Sequence, residues 1–252
     1  MSPTYLTDSQ WEVMKLLLND TRKRKYPLRD ILNALFYLNR TGCQWPMLPK
    51  DFPPFQLCFY YYRKWTVTGL WLKINTLLNR MVRKKKRRKP SPSVGIIDSQ
   101  SIKNSERGVV DKGFDGNKRI KGRKPHLVVD TLGLILITLV GPANENEGKA
   151  AYRVLQQLKK TRYNRMKKIL ADRGYSNKLA VWAKLVLGWI VEIVTHQKGN
   201  PNFEIIPLRS KVERTISWLM WSRRLSRDFE CELNSSESQI YIVNIYRGLK
   251  HF

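Results

Sequence analysis

Acidic residues are scarce in this chain. Asp and Glu number 20 against 47 Lys and Arg in 252 residues, for a net charge of +27. Such an excess repels itself unless a polyanion offsets it, so nucleic acid is the expected partner, ahead of an anionic membrane surface or ribosomal-type RNA binding. Cysteines are few. Cys43, Cys58 and Cys231 are odd in number and widely spaced, which excludes a disulfide framework and a zinc pattern. His126, His196 and His251 are too scattered to complete a zinc site. Isolated reduced thiols in a cytoplasmic, nucleoid-associated protein are expected. Long apolar runs are missing as well. The longest, Leu132 to Val140, falls far short of the ~20 residues a membrane helix needs. Leu179 to Val194 is broken by Lys184 and Glu192. The start, Met1-Ser2-Pro3-Thr4-Tyr5, has neither a basic nor an apolar signal region. Apolar residues still make up 42%, enough for a packed core.

Residues 5 to 82 read as helices. Thr7 with Gln10 three residues on forms a capping box, and Leu6 and Trp11 occupy the staple positions. Trp11, Met14 and Leu18 line one face of a first helix. A second helix is expected from about Leu28 to Thr41, with Pro27 before it and Gly42 as its C-terminal cap. Cys43 to Pro54 holds four prolines and reads as a rigid loop. Pro54 opens a third helix carrying Phe55, Phe59, Tyr62 and Trp65, and a fourth begins near Leu70. Short helices joined by Gly and Pro turns suit a helix-turn-helix-type DNA reader. Residues 83 to 90 carry seven positive charges and read as a solvated linker that lies on a phosphate backbone when one is near. The expected division is therefore 1–88, an all-helical DNA-binding domain ending in a basic linker, and 89–252, a second domain.

The period then changes. Strands are expected at Val94 to Ile97, His126 to Asp130, Leu134 to Val140, Lys167 to Ala171 and Trp189 to Thr195. Helices are expected at Glu145 to Lys160, Asn177 to Leu187 and Pro207 to Arg227. A strand, a hairpin and then βαβ-like alternation imply an α/β layer with a mixed sheet.

Three acids stand out against the basic background. Asp98 ends Val94-Gly95-Ile96-Ile97, Asp172 ends Ile169-Leu170-Ala171, and Glu213 lies on the last helix. Two carboxylates at strand ends and a third on a facing helix are the hard oxygen ligands a two-metal phosphodiester site requires. On that helix Arg209, Glu213, Ser217, Met220 and Arg224 share one face beside an apolar face of Val212, Ile216 and Leu219. Arg209 stands one turn before Glu213 and can contact a phosphate or hold the carboxylate; the plainer reading is a surface ion pair. Lys103, Lys121, Arg123 and Lys124 crowd the segment between the first two strands, in contact with DNA or in a solvated loop. Asp130 reads as a turn cap.

The chain resembles bacterial insertion-sequence transposases of the DDE superfamily, close to the insertion-sequence-five group, over nearly its full length. The N-terminal likeness rests on Leu6-Thr-Asp-Ser-Gln-Trp11, Arg29-Asp-Ile-Leu-Asn33 and Arg40-Thr-Gly-Cys-Gln-Trp45 running into Met47-Leu-Pro-Lys-Asp-Phe-Pro-Pro54. The later likeness rests on Ile97-Asp-Ser-Gln-Ser-Ile-Lys103, the stretch from Lys121 to Leu134, Asp172-Arg-Gly-Tyr175 and Val212-Glu-Arg-Thr215, followed by Arg223-Arg224-Leu225. The resemblance implies an RNase H-like catalytic domain, with Asp98, Asp172 and Glu213 as its acidic triad and Mg²⁺, or Mn²⁺ in its place, as two bound ions. Related groups carry Tyr-x-x-Arg-x-x-x-Glu-x-x-x-x-x-x-Lys around the glutamate. Arg209 and Glu213 match it, whereas Ile206 and Met220 replace the Tyr and the Lys. Arg223 or Arg224 is then the substitute cation. The expected activity is metal-dependent cleavage at the element's inverted-repeat ends and strand transfer into target DNA, by a homodimer or higher assembly on double-stranded DNA. The rivals are a DNA-binding protein that no longer catalyses and an RNase H-like nuclease without strand transfer.

Overall fold

The computed structural model describes residues 4–105, 109–172, 174–175, 177–194 and 209–252, with the side chain of Arg209 outside that set. Four helices come first: α1 Asp8–Leu18, α2 Leu28–Thr41, α3 Phe55–Val67 and α4 Leu70–Lys85. The local signals act as the sequence predicts. Thr7 and Gln10 form a reciprocal capping box on α1. Gly42 ends α2 at φ 71°, where an L side chain is strained. The proline loop contains one 3₁₀ turn at Trp45–Met47.

The second half is built on strands β1 Val94–Ser99, β2 Ile102–Lys103, β3 Gly113–Asp115, β4 Ile120–Asp130, β5 Ile135–Pro142, β6 Lys168–Ala171 and β7 Ile190–Ile193. Its helices are α5 Glu147–Lys160, α6 Asn177–Trp182, α7 Arg209–Met220, α8 Arg223–Ser226 and α9 Leu233–Leu249. A π-helical turn, Ala183–Leu187, prolongs α6. The long β4 pairs antiparallel with β1 and β2 along one edge, and with β3 and β5 along the other. Then β1, β6 and β7 run parallel. The sheet is mixed, with β5, β4 and β1 antiparallel and β1, β6 and β7 parallel.

Alternation along the strands divides the core. Ile97, Val128, Ile169 and Ala171 pack with Val154, Leu155 and Leu158 of α5 and Leu179 of α6. Ile96, Leu127, Val129 and Leu170 face the other way, toward Val212, Ile216 and Leu219 of α7 and Ile240 of α9. The same cluster continues through Ile74, Leu78 and Val82 of α4 into α1 to α3, so the N-terminal helices and the sheet share one core.

Among the described residues β5 pairs with β4 alone, so its outer edge is open and the backbone of Ile135 finds partners outside the ladder. Asn75 and Asn79 of α4 each donate to the Ile135 carbonyl, at 2.8 and 2.7 Å, and the Ile135 N–H donates to Asn244 Oδ1 at 3.3 Å. Asn244 in turn donates to Asn75 Oδ1 at 2.6 Å. Three buried amides thereby tie α4 and α9 to the strand, and each has a partner, as burial requires.

Two expectations need correction. The basic stretch is not wholly solvated. Arg83 to Lys85 form the last turn of α4, and Arg83 is buried, donating to the fully buried Asp130 carboxylate. Asp130 also caps its turn, Oδ1 accepting from Leu132 and Leu134 N–H at 2.9 Å each. Burial raises its pKa, against the pull of those N–H groups and of Arg83. The helix expected over Pro207 to Arg227 also ends sooner. It stops at Met220 and a separate turn, α8, carries Arg223 and Arg224.

Candidate active site

The parallel register of β1 and β6 sets Val94 beside Lys168, Gly95 beside Ile169 and Ile96 beside Leu170. Continued by two residues, it sets Asp98 beside Asp172, one residue past the end of β6. Neighbouring strands are ~4.8 Å apart, so two carboxylate-bearing residues project side by side from adjacent strand ends. Asp98 keeps the side of Ile96, which is the side α7 covers, and Asp172 follows the last residue of β6. Each carboxylate is steered by local backbone: Asp98 Oδ1 accepts from Ser99 N–H at 2.8 Å, and Asp172 Oδ1 from Gly174 N–H at 2.9 Å.

Glu213 lies on α7, between Val212, which is fully buried, and Thr215. Thr215 Oγ1 donates to the Gly133 carbonyl at 3.0 Å and docks the helix on the β4–β5 turn. A Cβ on Gly133 would meet that hydroxyl at 2.8 Å, and its φ of 81° already requires glycine. Glu213 itself is exposed.

The donor chemistry of Asp98 and Asp172 fits a hard divalent cation. Among the described residues, however, no three of His, Cys, Asp and Glu lie close enough together to hold one ion. The strand pair supplies two donors, and Glu213 stands on the adjoining helix without closing the set.

One acid escaped the sequence reading. Glu147, the first residue of α5, accepts from Ser99 Oγ at 2.6 Å through Oε1. Its Oε2 and Asp172 Oδ1 both approach Gly174, where a Cβ would sit 2.8 Å from the first and 3.1 Å from the second. A side chain at that turn would push against both carboxylates. Glu147 therefore touches both strand ends, by way of Ser99 next to Asp98 and of the Asp172 turn. Its signal was the run Glu145-Asn146-Glu147, two acids at a strand-to-helix junction of a chain poor in them.

The expected DNA-contacting cations divide sharply. Lys103, Lys121 and Arg223 are exposed. Arg123 is fully buried. It donates to Asp228 Oδ2 at 3.1 Å, Ser236 Oγ at 2.8 Å and the Val110, Glu230 and Cys231 carbonyls. Lys124 is buried against Asp115 at 3.4 Å. Arg224 is buried on Glu230 Oε1 at 2.8 Å and also donates to the Cys43 carbonyl. These three hold the fold together and are not placed to meet a phosphate. The side chain of Arg209, and Ile206, lie outside the described residues.

An RNase H-like sheet with two aspartates at neighbouring parallel strand ends is the arrangement of a DDE-type domain. Residues 89–247 match the family described as Transposase DDE domain. Residues 6–75 match a family described for transposases of IS4/5 family, DUF4096. The chain belongs to the Transposase DDE domain family, and its N-terminal part is similar to the IS4/5 family. No curated protein matches it. Among the described residues no helix is long and apolar enough to cross a membrane.

Proposed function

We propose that the protein binds the inverted-repeat ends of its mobile element, cleaves a DNA strand there and joins the released 3′-hydroxyl end to target DNA. The reading is carried by one observation: the β1–β6 register brings Asp98 beside Asp172 inside the DDE-matched segment. Asp98 and Asp172, joined by Glu213, would hold two Mg²⁺ or Mn²⁺ ions, which when bound supply activation of the attacking oxygen and neutralisation of phosphate charge. The chain's own part is placement. The Ser99 and Gly174 N–H groups fix the two carboxylates, and Glu147 braces both turns from the α5 side. Exposed Lys103, Lys121 and Arg223 steer the DNA backbone, with Arg209 the nearest cation in sequence on α7. End recognition is assigned to the helices within residues 1–88, and the working form on DNA to a homodimer or higher assembly.

Asp98→Ala, Asp172→Ala and Glu213→Ala should each abolish Mg²⁺-dependent cleavage of element-end DNA while thermal unfolding and end binding change little. Parental cleavage rates in Asp98→Ala would overturn the assignment. Cleavage without joining would favour a plain nuclease.

A further inference from the structure

Away from the acidic strand ends, α2, α7 and α9 enclose a cleft of about 440 Å³. Its walls combine four aromatic side chains, Phe36, Trp218, Trp221 and Tyr246, with three cations, Arg40, Arg247 and Lys250. The arrangement is built. The Arg247 guanidinium stacks 3.8 Å from the Trp218 ring centre, and Arg214 lies over the same ring at 4.7 Å. Lys250 stands over Tyr246 at 5.2 Å. Arg40 donates to the Trp221 carbonyl at 2.8 Å and fixes the backbone that presents this ring. Trp221 is nonetheless 67% exposed, so its ring faces stand open to a partner.

The charges are also out of balance. Among the described residues no carboxylate pairs with Arg40, Arg214, Arg247 or Lys250. Burial pushes the Arg247 guanidinium down to about 10, and Arg214 beside it adds to the shift. His251 at the rim is lowered too, by burial and then by Lys86, Arg247 and Lys85. Like charges held together need an anion to offset them. Flat rings between them need a flat apolar partner.

We propose that this cleft binds nucleotides of an unpaired DNA strand, with a base stacked on the exposed Trp221 ring and phosphates on Arg247 and Lys250. A duplex keeps its base faces inside the stack and offers only phosphates here. An opened strand offers both groups, and base-on-aromatic stacking tolerates any sequence. The cleft has small-ligand dimensions, suited to one or two nucleotides at a time. Trp218 stands five residues beyond Glu213 on α7, ~7 Å along the helix axis. The two side chains lie on different faces of α7, so a strand opened at the acidic end would pass around the helix to reach the cleft. This placement rests on the DNA-transposase reading; the cleft's chemistry does not.

The test uses the full-length protein, a fluorescent short oligodeoxythymidylate and a fluorescent random duplex at fixed salt. Trp221→Ala should weaken oligodeoxythymidylate binding about tenfold, as the loss of one stacked base does, and leave duplex affinity within about twofold. Trp221→Phe should keep most of the binding. Lys250→Gln, an exposed change that spares the core, should flatten the single-strand salt slope by about 0.7. Equal weakening of both DNAs by Trp221→Ala, or of neither, would overturn the proposal. So would a parent protein that binds duplex and ignores the single strand. A parent that binds neither would overturn the DNA reading along with it.

Discussion

Removing Arg83 should unfold the protein more readily by an amount that a linker residue could never produce. In Arg83→Met the Asp130 carboxylate, with no exposed surface, keeps the N–H groups of Leu132 and Leu134 but loses its paired cation. Breaking one side of a buried pair costs about 3–5 kcal/mol. Asp130 can reduce that cost by taking up a proton, which its burial already favours, so about 3 kcal/mol is expected near neutral pH. At roughly 2–4 °C per kcal/mol for a chain of this size, the melting temperature should fall by about 6–12 °C. The loss should grow with rising pH, because the unpaired carboxyl must then ionise inside the core. Asp130→Asn in the same chain keeps the Oδ1 acceptor and removes the charge. The double variant should regain about 2 kcal/mol relative to the sum of the singles. Circular dichroism melts at two pH values, with the exposed Lys84→Met as reference, provide the measurement. If Arg83→Met melts with Lys84→Met at both pH values, the stretch is a solvated linker and the ion pair carries no weight.

Other outcomes follow from the same packing. Glu147→Ala should lower cleavage about tenfold or more, the range for residues that orient a metal-binding group, and raise the Mg²⁺ concentration needed. Glu147→Gln, which still accepts from Ser99, should recover most of it, and parental activity in Glu147→Ala would dismiss the bracing role. Burial pushes the Glu237 carboxyl up to about 7, so between the ordinary glutamate range and that pH the folded chain holds a proton the unfolded chain has lost. Stability should fall with rising pH across that window, and Glu237→Gln, measured by urea unfolding against the parent at pH 5 and pH 8, should remove that part of the fall. His126, held neutral down to about 3 by burial, acts oppositely below its ordinary range, so the difference between variants carries the test. Replacing exposed Lys84 to Lys89 with Gln should weaken all duplexes alike and flatten the salt slope by up to ~0.9 for each phosphate no longer neutralised. Weakening confined to element-end DNA would mean the segment reads bases or shape.

Capping boxes, glycine stops and period changes act within a few residues, which is why α1 to α4 and most strands are legible in the chain. The aspartates are legible because a strand end is a local event. The fate of each cation is not. Arg123 meets Asp228 across 105 residues, and Arg83 meets Asp130 across 47. A basic residue's availability to DNA depends on whether a distant acid reaches it first, and charge patterning records no such pairing. Sequence pattern assigns no element to the segment that forms α9. Its buried face combines Ile242, Ile245 and Leu249 with Ser235, Ser238 and Asn244, a mixture that blurs any helical stripe.

That helix also decides how end recognition can be tested. By sequence, residues 1–88 are expected to stand apart as a DNA-reading domain. In the fold, Leu78 and Val82 of α4 close on Gly248 of α9, where an added Cβ would sit 2.9 Å from the Leu78 side chain. Cutting the chain near residue 88 would expose Ile74, Leu78 and Val82, and would strip Asn75 and Asn79 of the Ile135 carbonyl and the Asn244 amide. Buried amides without partners and apolar side chains in water each cost enough to compromise so small a piece. A truncated helical fragment that failed to bind element ends would then report misfolding and say nothing of where the ends are read. Surface substitutions on α1 to α3 in the full-length chain leave this shared core intact, so a specific loss of end binding there would speak to recognition itself.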